Sequence, residues 1–216
     1  MRRSLILVAV VLAALNTAVE VLDVRAAVYV LKPLATLALV ALVLLAGAPS
    51  RYRRWVSVGL SASLAGDILL MLPQGLFIPG LVAFLMAHAC YIVAFAEESG
   101  GARAPRRVAL PVYAIAGVIL AYLWPTLGAM RIPVAGYVIV ISTMAWQALA
   151  RWRVHRRFDT ALAAAGSVFF LASDAALAIR KFSAPFAAAS LVIMATYYAA
   201  QLLIALSVTE RPTASR

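Results

Sequence analysis

Runs of about 20 mostly apolar residues follow one another along this chain, and each is long enough to cross a lipid bilayer as a helix. The runs lack the period-two alternation of apolar and polar residues that is typical of a membrane β-barrel. With a barrel disfavoured, helices remain as the structure that hydrogen-bonds every backbone N–H and C=O group within the hydrocarbon. The sequence therefore predicts an all-α membrane protein, a bundle of about eight transmembrane helices in one domain over 1–210. The predicted spans are 4–22, 27–47, 55–73, 77–96, 108–126, 131–150, 158–178 and 185–207.

Charged residues are few and lie mostly between these runs. Hydrophobic residues make up 65% of the 216 and charged residues only 12%, too few to cover a water-soluble fold. The net charge of +11 comes from short basic connectors without interleaved aromatic residues, so nucleic-acid binding is not predicted. Most of the 19 Lys and Arg residues fall on one side if the N-terminus is cytoplasmic. The predicted inside set is Arg2, Arg3, Arg51, Arg53, Arg54, Arg103, Arg106, Arg107, Arg151, Arg153, Arg156, Arg157, Arg211 and Arg216.

This charge bias predicts how the protein lies in the membrane. We expect a multi-pass protein of the inner or plasma membrane with both termini cytoplasmic and with 211–216 as a cytoplasmic tail. A cleaved signal peptide is the alternative for the first run, because Arg2 and Arg3 precede an apolar stretch. No small-x-small cleavage motif follows that stretch, which favours a retained span.

Two distant segments share a pattern of small, acidic and aromatic residues. A constant offset superposes Gly59 on Gly166, Asp67 on Asp174, Leu70 on Leu177 and Tyr91 on Tyr198. The third and seventh predicted helices are counterparts in this interpretation. Both run from inside to outside, so the pattern predicts two parallel repeats, helices one to four and five to eight.

Asp67 and Asp174 are the acidic residues that this pattern places within the membrane. A carboxylate there costs about 2.5–3.5 kcal/mol on insertion scales, so it normally faces the bundle interior. With a rise of about 1.5 Å per residue, both lie roughly 9 Å below the predicted outer boundary. We therefore predict that the two carboxyl groups meet, share one proton and act as general acid and base. The alternative is that each Asp only hydrogen-bonds to a neighbouring helix.

Polar side chains of the fourth and eighth helices are further candidates. His88 and Tyr91 lie three residues apart on the fourth helix, as do Tyr198 and Gln201 on the eighth. We predict that these four residues line the same cavity and orient water or substrate. The alternative for His88 is hydrogen-bonded packing, the alternative for Gln201 is a polar link between helices, and packing is the role predicted for Tyr197.

A second polar group lies near the predicted outer ends of the helices. Lys32 precedes Pro33 in the second helix and is predicted to pair with an aspartate or to hold a lipid phosphate. Its alternative, shared with Arg131, is to extend its charge to the interface. Asn16 and Glu20, four residues apart on the first helix, are predicted to close the outer mouth of the cavity, with a place at the membrane interface as the alternative for Glu20.

Motifs of other catalytic classes are absent from the sequence. It contains no GxSxG, HExxH, Walker or GxGxxG motif, which disfavours serine hydrolysis, zinc peptidase and nucleotide chemistry. Its single cysteine, Cys90, excludes a disulfide framework and a cysteine metal site. We therefore predict no metal and no cofactor.

Several of these motifs occur together in one known family. They are Gly66-Asp67 in a GLxxSLxGDxxL setting, Gly80-Leu81 through His88 and Tyr91, Gly166-Ser167 through Ser173-Asp174, Tyr198 with Gln201, and Lys32-Pro33. This pattern resembles the YhhN family of membrane proteins, also called the lysoplasmalogenase family. The resemblance implies an eight-helix bundle that hydrolyses the vinyl ether bond of lysoplasmalogens to a fatty aldehyde and a glycerophospho-base. The two essential acidic residues of that family correspond to Asp67 and Asp174.

The chemistry that the resemblance implies agrees with a carboxyl pair. A vinyl ether hydrolyses when its β-carbon is protonated and water captures the oxocarbenium ion, which requires an acid, an anion and a base. The implied partners are a lysophospholipid substrate and the bilayer, and which aspartate is the acid stays open. The alternative functions are a small proton-coupled transporter that uses the same carboxylates and a purely structural role. A transporter predicts a polar path to both faces, whereas the interior charges cluster on one side.

Overall fold

Eight α-helices make up the bundle in the computed structural model, which describes residues 1–45, 49–99 and 104–210, without the side chains of 97–99. No strand occurs in those ranges, which confirms the predicted all-α fold. A short 3₁₀ turn at Gly128–Met130 precedes the sixth helix. The helices are α1 Arg2–Val21, α2 Arg25–Leu45, α3 Arg51–Met71, α4 Phe77–Ser99, α5 Arg106–Leu123, α6 Arg131–His155, α7 Phe158–Phe182 and α8 Ala189–Thr209. The predicted tail 211–216, the predicted span residues 46 and 47, and Arg103 lie outside the described residues.

Seven of these helices are long and apolar enough to cross a membrane, which confirms a multi-pass membrane protein. The predicted span that falls short of this criterion is α3. Its 21 residues give it sufficient length, but Arg51, Arg53 and Arg54 in its first turn and Asp67 further along lower its hydropathy. α3 packs against α2, α4 and α8. The buried face of this polar span includes Asp67, Ser63 and Ser57, which these neighbouring helices cover.

The helices differ from the predicted spans mainly at their ends. α3 begins at Arg51 rather than at 55, and α6 ends at His155 rather than at 150. Arg side chains can reach the interface while their backbone stays helical, so basic connectors extend these helices. α8 begins later than predicted, at Ala189, because Ala188 has a φ of 62° and interrupts the helix.

The most extensive helix contacts join α3 to α4 and α7 to α8, the pairs that the two-repeat interpretation predicts to correspond. Gly59 of α3 faces the ring of Tyr91 in α4. The nearest neighbours of Gly166 in α7, however, are Ala200 and Ile204 of α8. The two tyrosines that the offset superposes therefore occupy different surroundings, and the repeat stays a prediction from sequence.

We expect Gly166→Ala to lower the free energy of unfolding by about 1–3 kcal/mol, the usual cost of overpacking. A Cβ at Gly166 would lie 2.9 Å from the carbonyl oxygen of Ala200 and 2.9 Å from Cγ1 of Ile204, so α7 would have to move away from α8. Thermal unfolding of the purified protein in detergent measures this. The matched control is Gly117→Ala in α5, where a Cβ meets nothing within 4 Å. Equal loss in both variants would contradict the close approach of α7 and α8.

A buried polar cluster lies where α6 ends and α7 begins. The Arg151 guanidinium is fully buried and donates to Asp159 at 2.9 Å and to the hydroxyl of Tyr52 at 3.0 Å. Arg157 donates to the other oxygen of Asp159 at 3.0 Å, and Ser207 of α8 lies 2.7 Å from the Tyr52 hydroxyl. This Arg151 cluster joins α3, α6, α7 and α8. The sequence interpretation assigned Arg151 and Arg157 to a basic connector, without a buried partner.

Candidate active site

A cavity of about 550 Å³ lies at the opposite end of the bundle from the Arg151 cluster. Its rim comprises Asp23 between α1 and α2, Arg25 at the start of α2, Phe77 at the start of α4, and Lys181 near the end of α7. In the predicted orientation, this end faces the outside. The cavity therefore has its mouth on one side of the bundle, as the clustering of interior charges suggested.

Asp67 lies in the wall of this cavity and is 1% exposed. Its Oδ2 accepts hydrogen bonds from Tyr197 at 2.6 Å and from Thr36 at 2.8 Å. The Nζ of Lys32 lies 3.9 Å from its Oδ1, which agrees with the predicted pairing of Lys32 with an aspartate. Burial disfavours the charged form of this carboxyl group, and the two hydroxyl donors and the cation counteract burial by favouring the ionised form.

Asp174 lines the same cavity in different surroundings. Its Oδ2 accepts a hydrogen bond from Tyr137 at 2.5 Å, and no cation of the described chain pairs with it. Within those residues, neither aspartate accepts a hydrogen bond from the other. The two carboxyl groups thus share a cavity and each accepts from hydroxyl donors of its own, and their meeting to share one proton stays a prediction. Their separate helices hold each one with its own tyrosine.

Tyr197 belongs to the cavity wall, although the sequence interpretation gave it a packing role. Behind it lies a chain of hydrogen bonds through residues that were predicted to line the cavity. Gln201 donates through Nε2 to the Tyr197 hydroxyl at 3.0 Å, and the Tyr91 hydroxyl donates to Oε1 of Gln201 at 3.1 Å. Tyr91 and Gln201 are both fully buried and lie outside the cavity lining. They therefore reach Asp67 only through Tyr197.

His88 and Tyr198, also predicted to line the cavity, do not reach it either. His88 is fully buried, and its ring packs edge-on against Phe170 at 4.6 Å and Tyr137 at 5.3 Å between centroids. The Tyr198 ring lies in a small lateral groove at the packing of α1, α2 and α8. Asn16 is buried beside Met194 and is absent from the mouth that it was predicted to close.

The mouth of the cavity carries charges of both signs. Arg180 donates to Ser190 at 3.0 Å, and the Nζ of Lys181 lies 4.2 Å from the ring centroid of Phe77. Neither cation pairs with a carboxylate of the described residues. Glu20 lines the mouth, as predicted. The end of α7 therefore offers two cations that can meet an anionic group at the mouth.

Deeper in the cavity, apolar residues of α5, α6 and α7 form one wall. They include Ala116, Leu120, Val138, Ile141 and Leu177. α5 packs mainly on α6 and touches α7 little, so this wall stands at the edge of the bundle. A charged mouth, two carboxyl groups and an apolar wall suit an amphiphile with one long chain.

Comparison with known proteins places the chain among membrane proteins of one family. The YhhN family model matches residues 27–208. Lysoplasmalogenase TMEM86A of Homo sapiens is 37% identical over 160 residues, which cover 72% of this chain and 65% of the human protein. Lysoplasmalogenase TMEM86B of Homo sapiens is 35% identical over 161 residues, with 74% and 66% covered. A lysoplasmalogenase of Mycobacterium tuberculosis (strain CDC 1551 / Oshkosh) is 34% identical over 161 residues, with 71% and 60% covered.

The aligned part of the chain thus spans slightly less than two thirds of each of these relatives. No solved structure matches the chain.

Proposed function

Because the chain belongs to the YhhN family, we propose that it is an intramembrane hydrolase that cleaves the vinyl ether bond of lysoplasmalogens. Its relatives named lysoplasmalogenase support this substrate class. The observation that carries the proposal is one amphipathic cavity in which Asp67 and Asp174 have different hydrogen-bond partners. One carboxyl group can remain ionised there while the other carries a proton.

The lysolipid is placed by matching its parts to the cavity. Its phosphate lies at the mouth beside Arg180 and Lys181, because these cations have no carboxylate partner in the described chain. Its hydrocarbon chain lies against the apolar wall at Ala116 and Ile141. The vinyl ether then reaches the level of the two aspartates. Lys32 serves as the charge partner of Asp67 in this arrangement, and the phosphate has other cations to bind.

We assign the acid role to Asp174 and the role of anion and base to Asp67. Lys32, Thr36 and Tyr197 stabilise Asp67 as a carboxylate, whereas Asp174 has a single hydroxyl partner and no cation. Asp174 transfers its proton to the β-carbon of the vinyl ether, and the C=C electron pair forms the new C–H bond. The α-carbon becomes an oxocarbenium ion, which the Asp67 carboxylate stabilises.

Water completes the reaction without a cofactor. It adds to the oxocarbenium carbon and gives its proton to Asp67, which yields a neutral hemiacetal. Collapse of the hemiacetal breaks the bond from the former α-carbon to the glycerol oxygen, which takes the proton from Asp67, while the hemiacetal hydroxyl gives its proton to Asp174 and becomes the aldehyde carbonyl. The products are a fatty aldehyde and a glycerophospho-base, and Asp67 is again a carboxylate and Asp174 again an acid.

The sidedness of the site follows from the charge bias of the loops. We propose a multi-pass protein of the inner or plasma membrane with its N- and C-termini cytoplasmic, so that the cavity mouth faces outward. At the other end, the Arg151 cluster packs four helices together. This arrangement favours a hydrolase over the alternative of a proton-coupled transporter, which requires access from both sides.

The proposal is tested with purified protein in detergent and 1-alkenyl lysolipids that carry choline or ethanolamine head groups. We expect equal molar release of fatty aldehyde and glycerophospho-base. The matched control substrate is the saturated 1-alkyl ether of the same chain length, which lacks the double bond that the acid protonates and should stay intact. If neither alkenyl lysolipid releases aldehyde, the substrate assignment is wrong, and proton-coupled uptake into liposomes becomes the assay to make.

A further inference from the structure

The three hydrogen bonds behind Asp67 all point in one direction. Tyr91 donates to Gln201, Gln201 donates to Tyr197, and Tyr197 donates to Asp67, at 3.1, 3.0 and 2.6 Å. Each hydroxyl in this chain has one hydrogen to give. Because the Tyr197 oxygen accepts from Gln201, its own hydrogen is left to Asp67.

The amide of Gln201 decides this direction because its two ends differ. With Oε1 toward Tyr91 and Nε2 toward Tyr197, each of the three groups gives a hydrogen to the next one when Asp67 is ionised. The reverse orientation would require Tyr197 to donate to Gln201, and Asp67 would lose that donor. The reversed orientation of the Gln201 amide is therefore compatible only with a protonated Asp67 that donates its hydrogen to Tyr197.

We propose that Gln201 and Tyr91 are positioning residues that hold the Tyr197 hydroxyl hydrogen on the Asp67 carboxylate. This inference rests on the proposed function, since Asp67 is its anion and base. Both residues are fully buried, and neither lines the cavity, so they influence the reaction without touching the lysolipid. Their effect is to keep Asp67 in the form that stabilises an oxocarbenium ion.

The other groups that face Asp67 set the background for this effect. Lys32 and Thr36 of α2 contact it directly, and Glu20 of α1 acts on it electrostatically across the cavity. Tyr197 is its hydrogen-bond partner from α8. Variants at Tyr91 and Gln201 leave all of these side chains in place. A change in turnover in these variants then measures the effect of the hydrogen bonds that run from Tyr91 through Gln201 to Tyr197.

The direct test removes the Tyr91 hydroxyl, which is the first donor in this series of hydrogen bonds. Tyr91→Phe keeps the ring that packs on Gly59 and deletes the hydroxyl that fixes the Gln201 amide. We expect kcat to fall about three- to ten-fold, the size of one lost hydrogen bond, while binding of the saturated 1-alkyl lysolipid stays unchanged. Gln201→Leu should do the same if Tyr91→Phe fails to fold. The matched control is Tyr113→Phe, which removes a hydroxyl that bonds Thr143 between α5 and α6, away from the cavity lining, and should leave kcat at the wild-type value.

A double-mutant cycle separates positioning from packing. If Tyr91 acts through Tyr197, Tyr91→Phe should change kcat no further in a Tyr197→Phe background, whereas independent effects would multiply. Wild-type kcat in both Tyr91→Phe and Gln201→Leu, or multiplied losses in the double variant, would overturn the proposal.

A spectroscopic readout keeps this inference distinct from the proposed function. The carboxylate stretch of Asp67, identified in infrared spectra by subtraction of Asp67→Asn, should shift in Tyr91→Phe and not in Tyr113→Phe. That shift is expected even if the wild-type protein releases no aldehyde. An unchanged band would overturn the inference, and absent aldehyde release would reject only the hydrolase.

Discussion

Asp67→Asn and Asp174→Asn should each lower the rate of aldehyde release by about 10²–10⁴-fold, the usual contribution of a general acid or base. An amide at Asp174 has no acidic proton to give to the vinyl ether. An amide at Asp67 leaves Lys32 without its carboxylate and removes the negative charge that faces the oxocarbenium ion. Release of aldehyde by purified variants, followed under single-turnover conditions, measures both losses.

The controls distinguish chemistry from folding and binding. Asp23→Asn alters a carboxylate at the mouth that is 82% exposed and lies 3.5 Å from Arg25, and its turnover should stay near that of the wild type. All three variants should bind the saturated 1-alkyl lysolipid. Full activity in either Asp67→Asn or Asp174→Asn would reject the proposed roles of the two aspartates.

Asp159→Asn should lower the free energy of unfolding by about 3–5 kcal/mol, because it removes a buried carboxylate that two guanidinium groups bind. Asp159 is 1% exposed and lies 2.9 Å from Arg151 and 3.0 Å from Arg157. The amide keeps the volume of the side chain but loses its charge. Thermal or denaturant unfolding in detergent measures the change.

The exposed ion pair of the mouth is the matched comparison for stability. Asp23→Asn breaks a solvated pair with Arg25, and we expect it to change stability by less than about 1 kcal/mol. If Asp159→Asn cost no more than Asp23→Asn, the Arg151 cluster would not be what holds α6 and α7 to α3.

The helices and the placement of Asp67 and Asp174 inside the bundle were predictable because both signals are local. A run of about 20 apolar residues specifies a spanning helix wherever it occurs, and an aspartate inside such a run must face protein or water. Lys32 was predictable as a charge partner for the same reason. These inferences need no knowledge of how the helices are rotated against each other.

The cavity wall of α8 was not predictable, since helix rotation depends on packing. α8 carries apolar residues on all of its faces, so its hydropathy pattern does not identify the face that points into the bundle. The repeat offset selected Tyr198, which pairs with Tyr91 in sequence, but Tyr197 is the neighbour that bonds Asp67. The four-residue spacing of Tyr197 and Gln201 was the available signal, because such side chains are neighbours on a helix.

Burial of Arg151 was missed for a related reason. An arginine in a connector fits the positive-inside pattern whether it is solvated or paired. Only the three-dimensional contact with Asp159 and Tyr52 distinguishes the two cases. Tyr137 likewise carried no sequence signal beyond its place in an apolar helix, although it is the hydroxyl partner of Asp174.

Under the proposed function, the placement of the cavity determines which leaflet of the bilayer supplies the lysolipid substrate. Its mouth lies at one end of the helices, and the Arg151 cluster joins α3, α6, α7 and α8 at the other. A lysolipid whose phosphate stays at the mouth must come from the leaflet on that side. Lysolipids of the opposite leaflet reach the carboxyl groups only after they have crossed the bilayer. The rate of transbilayer lipid movement therefore limits the fraction of the membrane's lysolipid that this cavity can receive.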